Sequence, residues 1–157
     1  MGNEELKNKI STLLPTAVFE ETGDPATAGW LNIQVEAADL RALAQQLRND
    51  ESLLFDHLFC LTCIDWKTHL TMVYHFDSTT FRHNIVIKSK LNRDQPIITT
   101  VSHIWKTAEF HEREVYEMFG VNFIDHPDLR LLILPDGWEG KNPMRKDFED
   151  PVNMIKL

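Results

Sequence analysis

The two cysteines are the first place in this chain to look for chemistry. Cys60 and Cys63 form a C-x-x-C within LFCLTCIDW. As a zinc or iron–sulfur site this is half a site, because four ligands are needed and there is no second cysteine pair. As a redox dithiol it would favour a strand-to-helix junction, where a helix terminus lowers a thiol pKa. Here the pair sits inside a hydrophobic strand, and its spacing sends the two side chains to opposite faces. Two reduced core cysteines are expected, with a stand-alone CxxC thiol oxidoreductase as the alternative from another class.

The chain has seven histidines, none of them in H-E-x-x-H, although His111-Glu112 starts like it. His111 with Glu109 or Glu114 offers part of a carboxylate-rich metal site, but the second Glu/His set of a di-metal bundle is missing. G-x-S-x-G, G-x-x-x-x-G-K-[ST] and G-x-G-x-x-G are all absent. Asp65 and Asp147 could serve as acid and base, but nothing in the sequence brings them together. These observations give little support to a free-standing enzyme, and no catalytic, cofactor-binding or metal-binding residue is assigned.

The ionisable residues are densest in SHIWKTAEFHEREVYEMFG, residues 102–120. Ser102 as N-cap, Gly120 as the terminating glycine and apolar Ile104, Ala108, Val115 and Met118 or Phe119 predict one helix of about five turns. Arg113 is flanked by Glu109, Glu112, Glu114 and Glu117, which predicts i,i+4 pairs to Glu109 and Glu117. The carboxylates then form a solvated acidic face, or await arginines from the tail or from a partner.

Before this helix, residues 4–14 read as a short helix ended by Pro15, and Val18-Phe19 as the start of an extended segment. The turn-rich ETGDPATAG follows, then an alternating strand from Trp30 to Val35 and an amphipathic helix over Ala37–Asn49. Leu58–Asp65, Leu70–Phe76 and Asn84–Lys90 read as three further strands with short connections, which favours antiparallel neighbours. The fold class is α+β: a mixed or antiparallel sheet of about four strands, helices on one side, and an extended C-terminal arm. The expected division is a domain over residues 1–120 and a partner-binding tail over 121–157.

That tail of 37 residues begins after Gly120 and contains four of the seven prolines. It should wrap over its own domain or over another protein. Arg130 and Arg145 suit bidentate carboxylate pairing, with Trp138 and Phe148 beside them as apolar anchors. The net charge of −8 argues against nonspecific nucleic-acid binding and against direct adhesion to anionic lipid. No apolar run reaches transmembrane length, and the N-terminus lacks a secretory h-region.

In order along the chain stand Glu112-Arg113-Glu114, Met118-Phe119-Gly120, His126-Pro127-Asp128-Leu129-Arg130, Trp138-Glu139-Gly140 and Pro143-Met144-Arg145-Lys146-Asp147-Phe148. This series resembles the thirty-kilodalton or C-type subunit of the proton-pumping NADH:quinone oxidoreductase, respiratory complex I. Related subunits occur in membrane-bound nickel–iron hydrogenases and F420H2 dehydrogenases. The chain departs from the family pattern at Glu117, where Asp is usual, at Leu131, where a second Arg is usual, and at Lys141-Asn142, which replaces a single His.

The resemblance implies a cofactor-free peripheral-arm subunit on the cytoplasmic side of the cell membrane. It would scaffold the forty-nine-kilodalton-type quinone-site partner (the D-type subunit) near iron–sulfur subunits, while flavin, iron–sulfur clusters and quinone stay on those partners. The residues it marks for partner binding are Glu112, Arg113, Glu114, His126, Pro127, Arg130, Trp138, Glu139, Arg145, Lys146 and Asp147.

Overall fold

The computed structural model describes residues 2–20 and 29–150. The elements run α1 (Asn3–Leu13), β1 (Val18–Glu20), β2 (Leu31–Gln34), α2 (Leu40–Asn49), β3 (His57–Asp65), β4 (His69–Asp77), β5 (Asn84–Asn92), β6 (Ile97–Thr99), α3 (Ala108–Phe119) and β7 (Asn122–Ile124). The architecture is α+β, with a mixed five-stranded sheet in the order β1-β2-β5-β4-β3. Most of the turn-rich ETGDPATAG segment and the end of the tail lie outside the described residues.

The alternation read from the sequence sets the register. Leu61↔Tyr74, Cys63↔Met72 and Asp65↔Leu70 face one side, continued across β5 by Ile85, Ile87 and Leu91. Leu6 and Ile10 of α1, the apolar stripe of α2, and Ala108, Val115 and Phe119 of α3 close one core over that face. A bulge between Leu58 and Cys60 shifts the β3 register, so Cys60 pairs with His75 and stays outside the core, whereas Cys63 lies within it. The opposite-face expectation for the two cysteines holds, but only Cys63 is a core residue.

The sheet is mixed, one of the two arrangements expected: β5 runs antiparallel to β4 but parallel to β2, because β2 leads through α2 and the β3–β4 hairpin before β5 lands beside it. The main sheet has five strands where about four are expected, and β6 and β7 add a two-stranded parallel ribbon, the second of them two residues after Gly120.

The extent of the acidic helix needs correction. Helix α3 is 12 residues long, about three turns, and starts at Ala108 rather than beyond Ser102. Residues 102–107 are held in turns by tertiary bonds. The Trp105 indole donates to the Phe55 carbonyl at 3.0 Å and the Thr107 hydroxyl to the Leu58 carbonyl at 2.9 Å. Ser102 caps nothing: its amide donates to the Thr100 hydroxyl and its own hydroxyl is bonded there too.

Candidate functional site

Helix α3 does not carry a solvated acidic face. Glu112, Arg113 and Glu117 are buried, and none of them takes the i,i+4 partner that helical spacing offers. Instead the helix holds the arm by its backbone. Glu117 accepts the amides of Leu132 at 2.8 Å, Ile133 at 3.0 Å and Leu134 at 3.2 Å. Arg113 donates to the carbonyls of Arg130 at 3.1 Å and Leu131 at 2.6 Å. A carboxylate seated among successive amides has the geometry of a backbone anion nest. One helix thus grips both poles of the peptide over residues 130–134.

The next stretch of arm returns to the C-terminal end of α3. The Met144 amide donates to the Met118 carbonyl at 3.1 Å, and Arg145 Nε to the Phe119 carbonyl at 2.7 Å, which occupies carbonyls the helix terminus leaves open. Gly120 ends the helix with φ +74°, and a Cβ there would lie 2.8 Å from the Asn142 side chain. Gly120→Ala is therefore expected to cost about 1–2 kcal/mol for the left-handed backbone alone. It should also displace Asn142, read as a lower denaturation midpoint and faster proteolysis after Lys141.

Asp65 and Asp147 are brought together after all, by a residue that no sequence motif singles out. Arg93 forks onto Asp65 through Nε and Nη2, both at 2.9 Å, and onto Asp147 through Nη1 at 3.1 Å and Nη2 at 2.6 Å. The Lys67 and Lys146 amides also donate to Asp65, at 2.8 and 2.9 Å. These bonds hold the Asp65 carboxyl well below the usual carboxylate range, the Arg93 hydrogen bonds first among the causes. Two ionised carboxylates on one arginine make a staple between the sheet and the arm, with no proton left for acid–base work.

His126 marks where the arm leaves the domain. Its ring accepts the Asp128 amide at Nδ1 (3.0 Å) and contacts the Glu109 carbonyl from Nε2 (3.0 Å). Nε2 lies 3.8 Å from Glu112, and both side chains are fully enclosed. Glu112 accepts the Thr100 hydroxyl and, at 2.8 Å, the Val101 amide. Burial outweighs these bonds and lifts its carboxyl from 4.5 to about 7.

The remaining marked residues lie at the surface. Arg130 pairs locally with Asp128 at 2.8 Å, and Pro127, Glu114 and Glu139 are exposed. Trp138 packs against Phe148 with ring centroids 6.3 Å apart, Lys141 covers the Trp138 ring, and Lys146 lies over Trp66.

The thiols are not set up as nucleophiles. Burial pushes Cys63 up to about 12 and raises Cys60 as well, so neither is appreciably thiolate at neutral pH. Among the described residues no three His, Cys, Asp or Glu side chains converge as a metal site would need, and no helix is long and apolar enough to cross a membrane.

Residues 33–152 match the family model described as respiratory-chain NADH dehydrogenase, 30 Kd subunit. The chain belongs to that family. Its relatives include the C-type subunit of the NADH-quinone oxidoreductase of Acidothermus cellulolyticus, 40% identical over 139 residues, covering 86% of this chain and 70% of that protein. The match to the C/D-type subunit of the same enzyme from Phocaeicola vulgatus is 42% identical over 127 residues, covering 80% of this chain and 24% of the relative. The chain thus spans about a quarter of that relative, and 46% of the C-type subunit of Chloroherpeton thalassium, to which it is 41% identical over 69% of its own length.

Among solved structures, a chain of the membrane-bound sulfane sulfur reductase, an archaeal respiratory membrane complex, superposes with a TM-score of 0.79 at 27% identity, covering 93% of this chain and 85% of its own. A trypsin-resistant fragment of Nqo5 shares the fold, with a TM-score of 0.67 at 22% identity, covering 82% of this chain and all of the fragment.

Proposed function

We propose that this chain is the scaffolding C-type subunit of a proton-translocating NADH:quinone oxidoreductase. In this reading it carries no cofactor, performs no electron transfer itself, and holds the D-type quinone-site partner beside the iron–sulfur subunits. The assembly would lie peripherally on the cytoplasmic side of the cell membrane. The partner-binding arm, expected over residues 121–157, extends in this reading from His126, because β7 still pairs with β6 and Val121 and Phe123 belong to the core.

The observation that carries this reading is the state of the arm. From Ile124 to Asp150 no residue is buried as a whole, although the His126 side chain is enclosed. Fixing each residue costs roughly 1–2 kcal/mol of backbone entropy, against about 0.5–1.5 kcal/mol contributed per hydrogen bond. An arm strapped down by polar contacts and burying so little apolar surface needs a second surface to complete its order. The relatives named as C/D-type subunits support the D-type partner as that surface, because one chain there bears both letters.

Replacing Trp138 and Arg145 together with Ala should lower incorporation into the complex by at least tenfold, while the chain alone melts within a few degrees of wild type. Native purification with quantification of the co-purifying subunits reads this out, and full incorporation of the double variant would refute the scaffold reading. The likeness to the sulfane sulfur reductase chain supports a second reading, the equivalent subunit of another respiratory membrane complex. Identifying the co-purifying chains separates the two: an NADH-binding flavoprotein among them supports the first, and a set of membrane-complex subunits without one supports the second.

A further inference from the structure

We infer that Leu132 and Ile133 form an apolar knob, held out by Glu117 and Arg113, that enters an apolar pocket with a basic rim on the D-type partner. This rests on the scaffold reading above and names the chemistry of its contact. In an extended strand, consecutive side chains point to opposite sides, so one of the two would turn back toward the domain. Here the amides of residues 132–134 all converge on Glu117, which bends the backbone and leaves both neighbours facing outward. Leu132 is 38% and Ile133 62% exposed, on a segment whose backbone is pinned at five successive residues. On the same helix Phe110 is 56% exposed, and its ring lies beneath the Arg113 guanidinium that holds residues 130 and 131. The backbone is fixed while large apolar side chains stay partly exposed on it, as a preorganised contact requires.

The charge around the knob selects the rim. The cations of this region are already engaged: Arg113 on carbonyls, Arg130 on Asp128, Arg145 on the Phe119 carbonyl, and Lys141 and Lys146 over tryptophan rings. Glu114, Asp136 and Glu139 are exposed and form no ion pair within the described residues. The charged groups left without a bonding partner here are anionic, so lysines or arginines around the partner's pocket would complement them.

The test co-expresses the tagged full chain with the D-type partner and measures how much of that partner is recovered between 50 and 500 mM salt, on the order of the range over which screening acts. Ile133→Asp is expected to lower recovery at least tenfold and Ile133→Leu to restore it, with both chains melting as wild type alone. Asp136→Lys with Glu139→Lys should lower recovery at low salt and flatten its salt dependence. Glu117→Gln, which withdraws the charge from the three amides, should mimic Ile133→Asp although the knob itself is intact.

Wild-type recovery with Ile133→Asp, while Trp138→Ala/Arg145→Ala loses the D-type partner, would overturn the knob and leave the scaffold reading standing. So would an Ile133→Asp effect confined to self-association of the chain. No recovery of the partner by the wild type would remove the scaffold reading and this inference with it.

Discussion

Replacing Arg93 with Leu is expected to lower the melting temperature by on the order of 10 °C at pH 7, because it leaves a buried carboxylate without its partner. Asp65 is only 3% exposed, and its two remaining partners are backbone amides of Lys67 and Lys146. The loss should have a pH signature. Asp65 has its folded pKa depressed below 3.8, so its pairing contributes stability that is present above that value and is lost as pH falls through the folded pKa. Arg93→Leu should therefore flatten the acid limb of the stability curve below about pH 4 as well as lower its plateau. Arg93→Lys keeps the charge but not the fork that serves two carboxylates at once, and should lie between variant and wild type. The leucine substitution also frees Asp147 from the sheet, so tryptic cleavage after the adjoining Arg145 and Lys146 should accelerate more than cleavage elsewhere. A melting temperature within about 2 °C of wild type would show that the staple is merely a surface ion pair.

The staple also marks where the sequence stops being legible. Asp65 and Asp147 both stand out as carboxylates, but their relation depends on Arg93 in the β5–β6 turn, which no local pattern distinguishes from any exposed turn arginine. The long strands are readable because alternation persists over nine residues in β3, β4 and β5. β6 and β7, at three residues each, are too short to show a period, and their pairing is fixed by what surrounds them. The start of α3 is hidden for a related reason. Residues 102–107 have acceptable helical propensity, but Trp105 and Thr107 reach carbonyls about 50 positions away, and those bonds override it.

The acidic helix shows how tertiary bonds displace local ones. Spacing alone pairs Arg113 with Glu109 and Glu117, and such pairs are worth only about 0.2–0.5 kcal/mol each. Enclosed under the arm, Arg113 and Glu117 gain more from charge-assisted bonds to backbone groups that would otherwise be unsatisfied. The family motifs do locate the segments involved: Arg113, His126, Arg145 and Asp147 all bond between arm and domain, and the Arg130 carbonyl is one of the groups gripped. What the motifs cannot give is Glu117 as the acceptor for three amides, since a carboxylate in a sequence does not say which peptide bends toward it.

Glu112→Gln is expected to stabilise the chain at pH 8 and to leave it nearly unchanged at pH 4. The Glu112 carboxyl is raised from 4.5 to about 7, with burial as the first cause, opposed by the Thr100 hydroxyl and the Val101 amide. An acid whose folded pKa is raised favours the protonated folded state. Its stability is therefore intact below 4.5, falls as pH rises from 4.5 to about 7, and stays low above that. The span corresponds to about 3 kcal/mol, or a melting-temperature gain of roughly 6–12 °C for the variant at pH 8.

The groups facing this carboxyl allow the substitution. A glutamine carbonyl can accept the Val101 amide, its NH2 can donate to the Thr100 hydroxyl, and that hydroxyl can then donate to Ser102, 2.7 Å away. His126 at 3.8 Å and Tyr74, whose buried hydroxyl has no bonding partner among the described residues, complete the enclosure. Thermal melts of both proteins from pH 4 to 8 decide the matter, and parallel curves would show that the carboxyl titrates as if in water. If glutamine raises stability and partner assembly is unchanged, the shape of the hydrogen-bonded turn positions His126 and the start of the arm. If assembly falls while stability rises, the negative charge itself is needed there, and the fold tolerates a buried ionisable group for the sake of where the arm begins.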